Sequence, residues 1–188
     1  MSRTFLGFSQ LLVRRLFATR PARFGLTEEE VVELRDIWRV VDQSPIPVAK
    51  IVFKDLFEKK PEYSKKFISN DKFHSYDRDV PLLHQNEFIP HMRAVVTALT
   101  NIIKRIENEK EVDRVMDYIA VSHSNQWVKE KEMEDMGKSF KSSLKILNKN
   151  KMTEKAEVAF DKFWSSFVED YMTRIKTITG GATQGSKK

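Results

Sequence analysis

Phe88-Ile89-Pro90-His91-Met92-Arg93-Ala94-Val95 opens the stretch on which the reading of this chain turns, and Asp117-Tyr118-Ile119-Ala120-Val121-Ser122-His123 closes it. Each end reads as an amphipathic helix with one histidine on its apolar face. In the first, Phe88, His91, Val95, Leu99 and Ile102 recur at the three-and-four spacing of a helix; in the second, Val115, Ile119 and His123 stack one turn apart. A short charged corner, residues 107–111, joins the two, so they fold back as antiparallel neighbours. A lone histidine on such a face is ordinarily a satisfied core or boundary residue. Two on consecutive antiparallel helices set two imidazoles across one slot. That arrangement can hold a flat metal cofactor by one ring while the other faces the open side.

The rest of the chain supports a helical domain. Its 188 residues are enough for one domain with a full core. Gly and Pro are scarce, at 6 each, and 32% of residues are charged, which favours a helical protein over a sheet-rich or disordered one. There is no cysteine, so disulfides, thiolate metal sites and thiol nucleophiles are excluded. No apolar run reaches the length of about 18 residues that a membrane span requires. The net charge of +6 is unevenly placed: Arg3, Arg14, Arg15, Arg20 and Arg23 lie in residues 1–25, which contain no acid. The remainder is nearly neutral, so the basic pI does not point to nucleic acid.

Residues 1–25 therefore read as a separate extension. They are Arg-rich, acid-free and Ser/Thr-bearing, with Phe5, Phe8, Leu11, Leu12 and Leu16 near one helical face. That composition fits a mitochondrial transit peptide, a basic helix lying on an anionic membrane surface, or a disordered arm. The expected location is accordingly intracellular: cytoplasmic, or mitochondrial if the extension is a transit peptide.

From residue 26 to 179 the pattern is a succession of helices. Leu26-Thr27-Glu28-Glu29-Glu30-Val31 announces the first, with a Thr cap, Glu three residues on, and Leu26 placed to staple Val31. Val31, Leu34, Trp38 and Val41 form its apolar stripe. Pro45 opens a second helix, whose buried side includes Val48, Val52, Phe53, Leu56 and Phe57, and Pro61 stops it. A short turn over 62–67 and an irregular polar loop over 68–85 precede the histidine helices. Met136, Phe140, Leu144 and Leu147 mark another helix. Phe160, Phe163, Trp164, Phe167, Tyr171 and Ile175 mark the last, which Gly180-Gly181 is expected to end before a tail at 180–188.

No acid–His–Ser set, Gly-rich phosphate loop, or His-x-x-x-His or Glu-x-x-His zinc spacing surrounds either helix-face histidine. His74 and His84 sit in polar loop context and read as surface residues. His84, two helical turns before His91, is the rival ligand.

Leu26 followed by Trp38, Leu56-Phe57 followed by Pro61 and Phe67, His91 followed by Val95, and Ile119-Ala120-Val121-Ser122-His123 occur in that order. Together they resemble the globin family over nearly the whole body of the chain. The resemblance implies a three-over-three helical sandwich around haem b (iron protoporphyrin IX). It implies His123 as the proximal iron ligand, with its other N–H held by the Ser122 hydroxyl or the Ile119 carbonyl. Phe67 would pack flat on the haem, Phe53 would fall in the distal pocket, and Val95 would stand beside the ligand site. His91 would be the distal residue, either hydrogen-bonding bound oxygen or serving as a sixth iron ligand.

The expected function follows in two versions. One is reversible binding of oxygen or another diatomic gas for storage, transport or sensing, a binding protein rather than an enzyme. The other is a bis-histidyl haem with a redox role and an electron-transfer partner. Trp127 and Lys129 lie near the expected haem edge, either as contacts or as plain surface residues. Two departures stand out. The separation of His91 from His123 is about three residues longer than the familiar family pattern, and Pro90 immediately precedes His91, where a helix-interior proline would cost about 3 kcal/mol.

Overall fold

The computed structural model describes residues 23–69, 77 and 79–182. Expectations for His74, for most of the basic extension and for the tail beyond 182 lie outside them. The described residues contain seven α-helices and no strand: α1 Glu28–Gln43, α2 Pro45–Lys59, α3 Pro61–Ile68, α4 Ile89–Lys104, α5 Glu109–His123, α6 Glu130–Leu147 and α7 Glu154–Ala182. The all-α expectation holds. None of these helices is long and apolar enough to cross a membrane.

The helix starts are chemical. Thr27 Oγ1 accepts from Glu30 N at 3.2 Å, and Glu30 Oε2 accepts from Thr27 N at 2.7 Å, closing the capping box on α1. Lys162 of α7 reaches the same glutamate at 2.8 Å, so the cap also ties α1 to α7. Its hydrogen bond to Lys162, then that to Thr27, holds the Glu30 carboxyl below the usual range. Asn108 caps α5 by accepting from Glu111 N, and Thr153 caps α7 by accepting from Ala156 N at 3.0 Å.

Pro90 does no harm, because α4 begins at Ile89 and the proline lies in its first turn. The carbonyl that a proline would orphan belongs to Asn86, and the Ile89 N–H takes it up through the preceding 3₁₀ turn Asn86–Phe88.

Helix contacts sort the elements into two layers. α4 packs on α1 and on α5; α6 packs on α2 and on α7. Across the layers α2 meets α4, and α7 meets α1 and α5. This is the expected three-over-three sandwich, α1-α4-α5 over α2-α6-α7, with α3 at one end. Trp38 pins the layers together: its Nε1–H donates to Thr100 Oγ1 of α4 at 2.9 Å, and its ring stacks on Phe140 of α6 at 5.6 Å. α6 comes close to α7 at Gly137, where an added Cβ would lie 2.2 Å from Trp164 Nε1. The Trp164 indole instead donates to Met133 O at 2.9 Å.

Four boundaries differ from the sequence reading. The turn expected at 62–67 is the two-turn helix α3, because Pro61 starts a helix as well as stopping one. The charged corner is shorter, since Glu109–Glu111 form the first turn of α5, where acids suit the helix dipole. Gly180 remains helical; it lacks the positive φ that a glycine stop uses. Finally, packing extends upstream of residue 26, to Arg23 and Phe24 among the described residues. Phe24 is buried, edge-on to Phe163 at 5.3 Å, although its φ of 68° is one that bulky residues avoid. Arg23 N donates to Ile106 O at 3.1 Å, and the Arg23 guanidinium pairs with Asp170 at 2.7 Å and Asp113 at 3.1 Å. Arg174 joins the same cluster through Asp113, Asp117 and Asp170.

Candidate functional site

Between α4 and α5 of one layer, backed by α6 and α7, lies a cleft with a cavity volume of about 340 Å³, within the range of small-molecule sites. α4 supplies His91, Ala94, Val95, Ala98 and Leu99 to one wall. α5 supplies Tyr118, Ile119, Ser122 and His123 to the other. Met133 and Met136 of α6 and Trp164 and Phe167 of α7 close the back. Tyr63 and Phe67 of α3, with Trp127 and Glu132, form one end. The two sequence-selected histidines thus line one apolar slot from facing helices.

The periodic pattern on α4 explains why. The stripe Phe88, Met92, Val96, Leu99 and Ile103 is fully buried in the core. His91 and Val95 lie one residue aside and are only half-buried, because their side of the helix looks into the cleft.

His123 is held by its own helix. Its Nδ1 lies 2.8 Å from Ile119 O, and a carbonyl can only accept, so Nδ1 carries the proton. The remaining nitrogen, Nε2, keeps its lone pair for a metal. Ser122 Oγ is 3.2 Å from Nδ1 and donates to Ile119 O at 2.9 Å. Both acceptor candidates named from the sequence therefore take part, with the carbonyl as the acceptor. Tyr171 of α7 stands edge-on to the His123 ring at 6.3 Å. Its hydroxyl donates to Val128 O at 2.8 Å, which anchors the α5–α6 corner to α7.

His91 sits among rings. Phe67 is 5.0 Å away and Phe53 5.8 Å, both edge-on, and Phe88 stacks on it at 5.4 Å. Burial, then the neighbouring charge of His123, pushes the His91 imidazole down to about 4. Burial also lowers His123, against the opposing pull of the Ile119 carbonyl. Both rings are neutral at physiological pH, the form that binds metal.

The other predicted residues divide. Phe67, Val95, Ile119 and Ser122 line the cleft with the two histidines. Phe53 does not: it is fully buried and stands behind His91, while Leu56 of the same helix reaches the cleft wall. Trp127 lines the cleft, whereas Lys129 is exposed and gives its backbone N–H to Glu132 at the start of α6. His84 is exposed and outside the cleft.

Sequence reading missed the back wall, Met133, Met136, Trp164 and Phe167. Helical spacing places Met136, Trp164 and Phe167 only on apolar helix faces, and Met133 is not singled out by it. Among the described residues no cluster of three His, Cys, Asp or Glu could enclose a free metal ion. The donor set here is instead one imidazole from each wall of a long apolar slot, which fits a planar metal macrocycle.

The family model described as Globin matches residues 50–171, a span that contains both histidines and runs from α2 to Tyr171 of α7. No curated protein matches the chain.

Proposed function

This chain belongs to the globin family, and on that premise we propose that it carries haem b in the cleft and reversibly binds oxygen or another diatomic gas there, for storage, transport or sensing. When bound, haem would supply an iron able to take the His123 imidazole together with a diatomic gas or the His91 imidazole. The observation that carries the proposal is the His123 Nδ1 to Ile119 carbonyl hydrogen bond of 2.8 Å. It selects the tautomer that leaves Nε2 to ligate, and with the Ser122 hydroxyl it restrains the ring angle.

The remaining residues serve that ligand. The aliphatic and aromatic walls exclude water, so a small apolar gas competes with little else. His91, neutral and braced by Phe53, Phe67 and Phe88, can offer an N–H to a polarised diatomic without carrying charge. One such hydrogen bond is worth about 0.5–1.5 kcal/mol, or up to roughly tenfold in affinity. Phe53 brings no hydroxyl, and no second donor arises from it.

A second reading has one observation in its favour. His91 and His123 line the same cleft from facing helices, so His91 stands on the side of the cleft from which a sixth ligand would come. The protein would then be a bis-histidyl redox centre that passes electrons to a partner.

The absorption spectrum of the ferrous protein separates the readings. A single broad visible band indicates an open sixth position, and sharp split bands indicate His91 on the iron. Failure to take up haem on reconstitution would sink both. His123→Ala should abolish stable haem binding, with free imidazole restoring it; histidine-ligated haem retained without imidazole would mean another residue is the ligand. We propose in addition that residues 1–25 direct the protein to mitochondria or to an anionic membrane surface. A reporter fused to that segment and found diffuse in the cytoplasm would count against it.

A further inference from the structure

Among the described residues, Trp127 is the one tryptophan with a tyrosine against it. Its ring lies 5.6 Å from that of Tyr63, and both line the cleft. Trp38 and Trp164 pack on phenylalanines instead, and both are buried, whereas Trp127 is half-buried. Tyr63 is 3% exposed, and its hydroxyl donates to Asp135 Oδ2 at 2.9 Å. The Tyr171 hydroxyl donates to a backbone carbonyl, which is no base at neutral pH. Tyr63 instead gives its O–H to a group that can take the proton. Burial, then the Asp135 hydrogen bond, holds the Tyr63 phenol above its ordinary range, so it stays protonated at physiological pH. Asp135 in turn faces two cations that reach solvent, Lys138 at 3.0 Å and Lys60 at 3.7 Å. The haem-binding reading gives this row of side chains no task.

We infer that Trp127, Tyr63 and Asp135 form a proton-coupled electron relay, which draws one-electron oxidation out of the cleft. A radical oxidant that reaches the cleft takes one electron from the Trp127 indole and is itself reduced. Tyr63 returns an electron to the indole, which recovers from water any proton its N–H has shed. The phenol O–H bond breaks, its proton passes to Asp135 Oδ2, and a neutral phenoxyl radical remains. The protonated Asp135 carboxyl then loses that proton to water beside Lys138.

The surrounding charges favour this direction. The Lys66 ammonium stands 4.9 Å from the centre of the Trp127 ring and opposes a positive charge there. A neutral phenoxyl escapes that repulsion, although Lys66 is 5.5 Å from the Tyr63 ring. Glu132, 3.4 Å from Lys66, moderates the effect. The inference goes beyond the haem-binding reading and does not depend on it, because every group in the relay belongs to the chain.

The test exposes the full-length chain, with haem b and without it, to a pulse of dibromide radical anions, each of which gains one electron to become two bromide ions. Transient absorption times the loss of the indolyl radical, and freeze-quenched electron paramagnetic resonance identifies what replaces it. In the wild type a phenoxyl radical should grow as the indolyl radical decays, more slowly in heavy water. Tyr63→Phe keeps the ring and removes the O–H, so that growth should be lost and the indolyl radical should persist. Trp127→Phe should abolish the growing phenoxyl component. Asp135→Asn leaves an acceptor oxygen that cannot keep the proton, and transfer should slow about tenfold or more. The wild type alone is decisive: indolyl decay without matching phenoxyl growth overturns the inference, whatever the variants do. Growth unaltered by Tyr63→Phe or by Trp127→Phe overturns it as well, and a wild-type rate in Asp135→Asn removes Asp135 as the proton acceptor and so the relay. Haem uptake is read separately from the histidine-ligated spectrum, so the two readings fail independently.

Discussion

Replacing Gly137 by alanine tests how tightly the back of the cleft is built. Helix propensity alone favours the change, since alanine in a helix interior is better than glycine by about 0.8–1 kcal/mol. The structure opposes it. The added Cβ would lie 2.2 Å from Trp164 Nε1 and 2.3 Å from Cδ1. The indole has little room to retreat: it stacks on Phe160 at 5.8 Å, packs on Phe140 at 5.5 Å, and donates to Met133 O at 2.9 Å. Overpacking costs about 1–3 kcal/mol, and a Met133 carbonyl left without its donor costs about 1–3 kcal/mol more. After subtracting the propensity gain, we expect Gly137→Ala to destabilise the apoprotein by about 1–5 kcal/mol, lowering Tm by roughly 2–20 °C for a domain of this size. Urea titration and thermal melts followed by circular dichroism and tryptophan fluorescence measure it. Trp164 and Met133 also line the cleft, so haem should leave the variant faster. An Ala variant stabilised by about the propensity difference, with unchanged haem loss, would show that the indole is not pinned and refute the reasoning.

His91→Leu distinguishes the two roles of His91. If His91 only hydrogen-bonds the gas, the deoxy spectrum is unchanged and oxygen dissociates up to about tenfold faster; a change from split to broad visible bands instead identifies it as a ligand. Residues 23–25 belong to the packed domain, so deleting 1–25 should destabilise more than deleting 1–22. The difference, from the buried Phe24 ring, should be about 1.5–3 kcal/mol by urea titration; equal stabilities would return the boundary to residue 26. Asp135 carries a pH dependence. Burial would raise its carboxyl, but hydrogen bonds from Lys138 and from the Tyr63 hydroxyl outweigh that and hold it below the usual 3.8. Its contribution is therefore present at neutral pH and lost as pH falls below about 3.8 through the depressed folded value. Asp135→Asn should be less stable than wild type at pH 7, with the gap closing in acid; a gap of constant size would remove Asp135 from the acid-sensitive set.

Much of this was legible without coordinates because it is local. The Thr27–Glu30 capping box, Pro45 and the one-turn spacing of Ile119 and His123 are statements about neighbours along one helix, and helical geometry converts them directly into contacts. The candidate acceptors for His123 belong to this class: Ile119, one turn back, and the adjacent Ser122 lie along the same helix. The harmlessness of Pro90 is local too, once the 3₁₀ turn at Asn86–Phe88 is known to precede α4.

What the tertiary structure alone decided concerns residues far apart in sequence. Helical spacing places Met136, Trp164 and Phe167 on apolar faces, but only the crossing of α6 and α7 behind α4 and α5 turns them, with Met133, into a cleft wall. The same limit separates Phe53 from Leu56. Both lie on the buried side of α2, and only the packing of α2 against its neighbours brings Leu56 to the cleft and leaves Phe53 behind His91. The meeting of Lys66 with Trp127 and Glu132 likewise needs three segments brought together. Periodicity reports which face of a helix is apolar. It carries no record of which other helix that face will meet, because packing direction is set by the shapes of all the surfaces at once. The sequence by itself therefore determined an all-helical chain with two histidines on the apolar faces of consecutive helices; the tertiary structure decided the ring nitrogen that His123 leaves free, and the shape, the back wall and the charged end of the cleft.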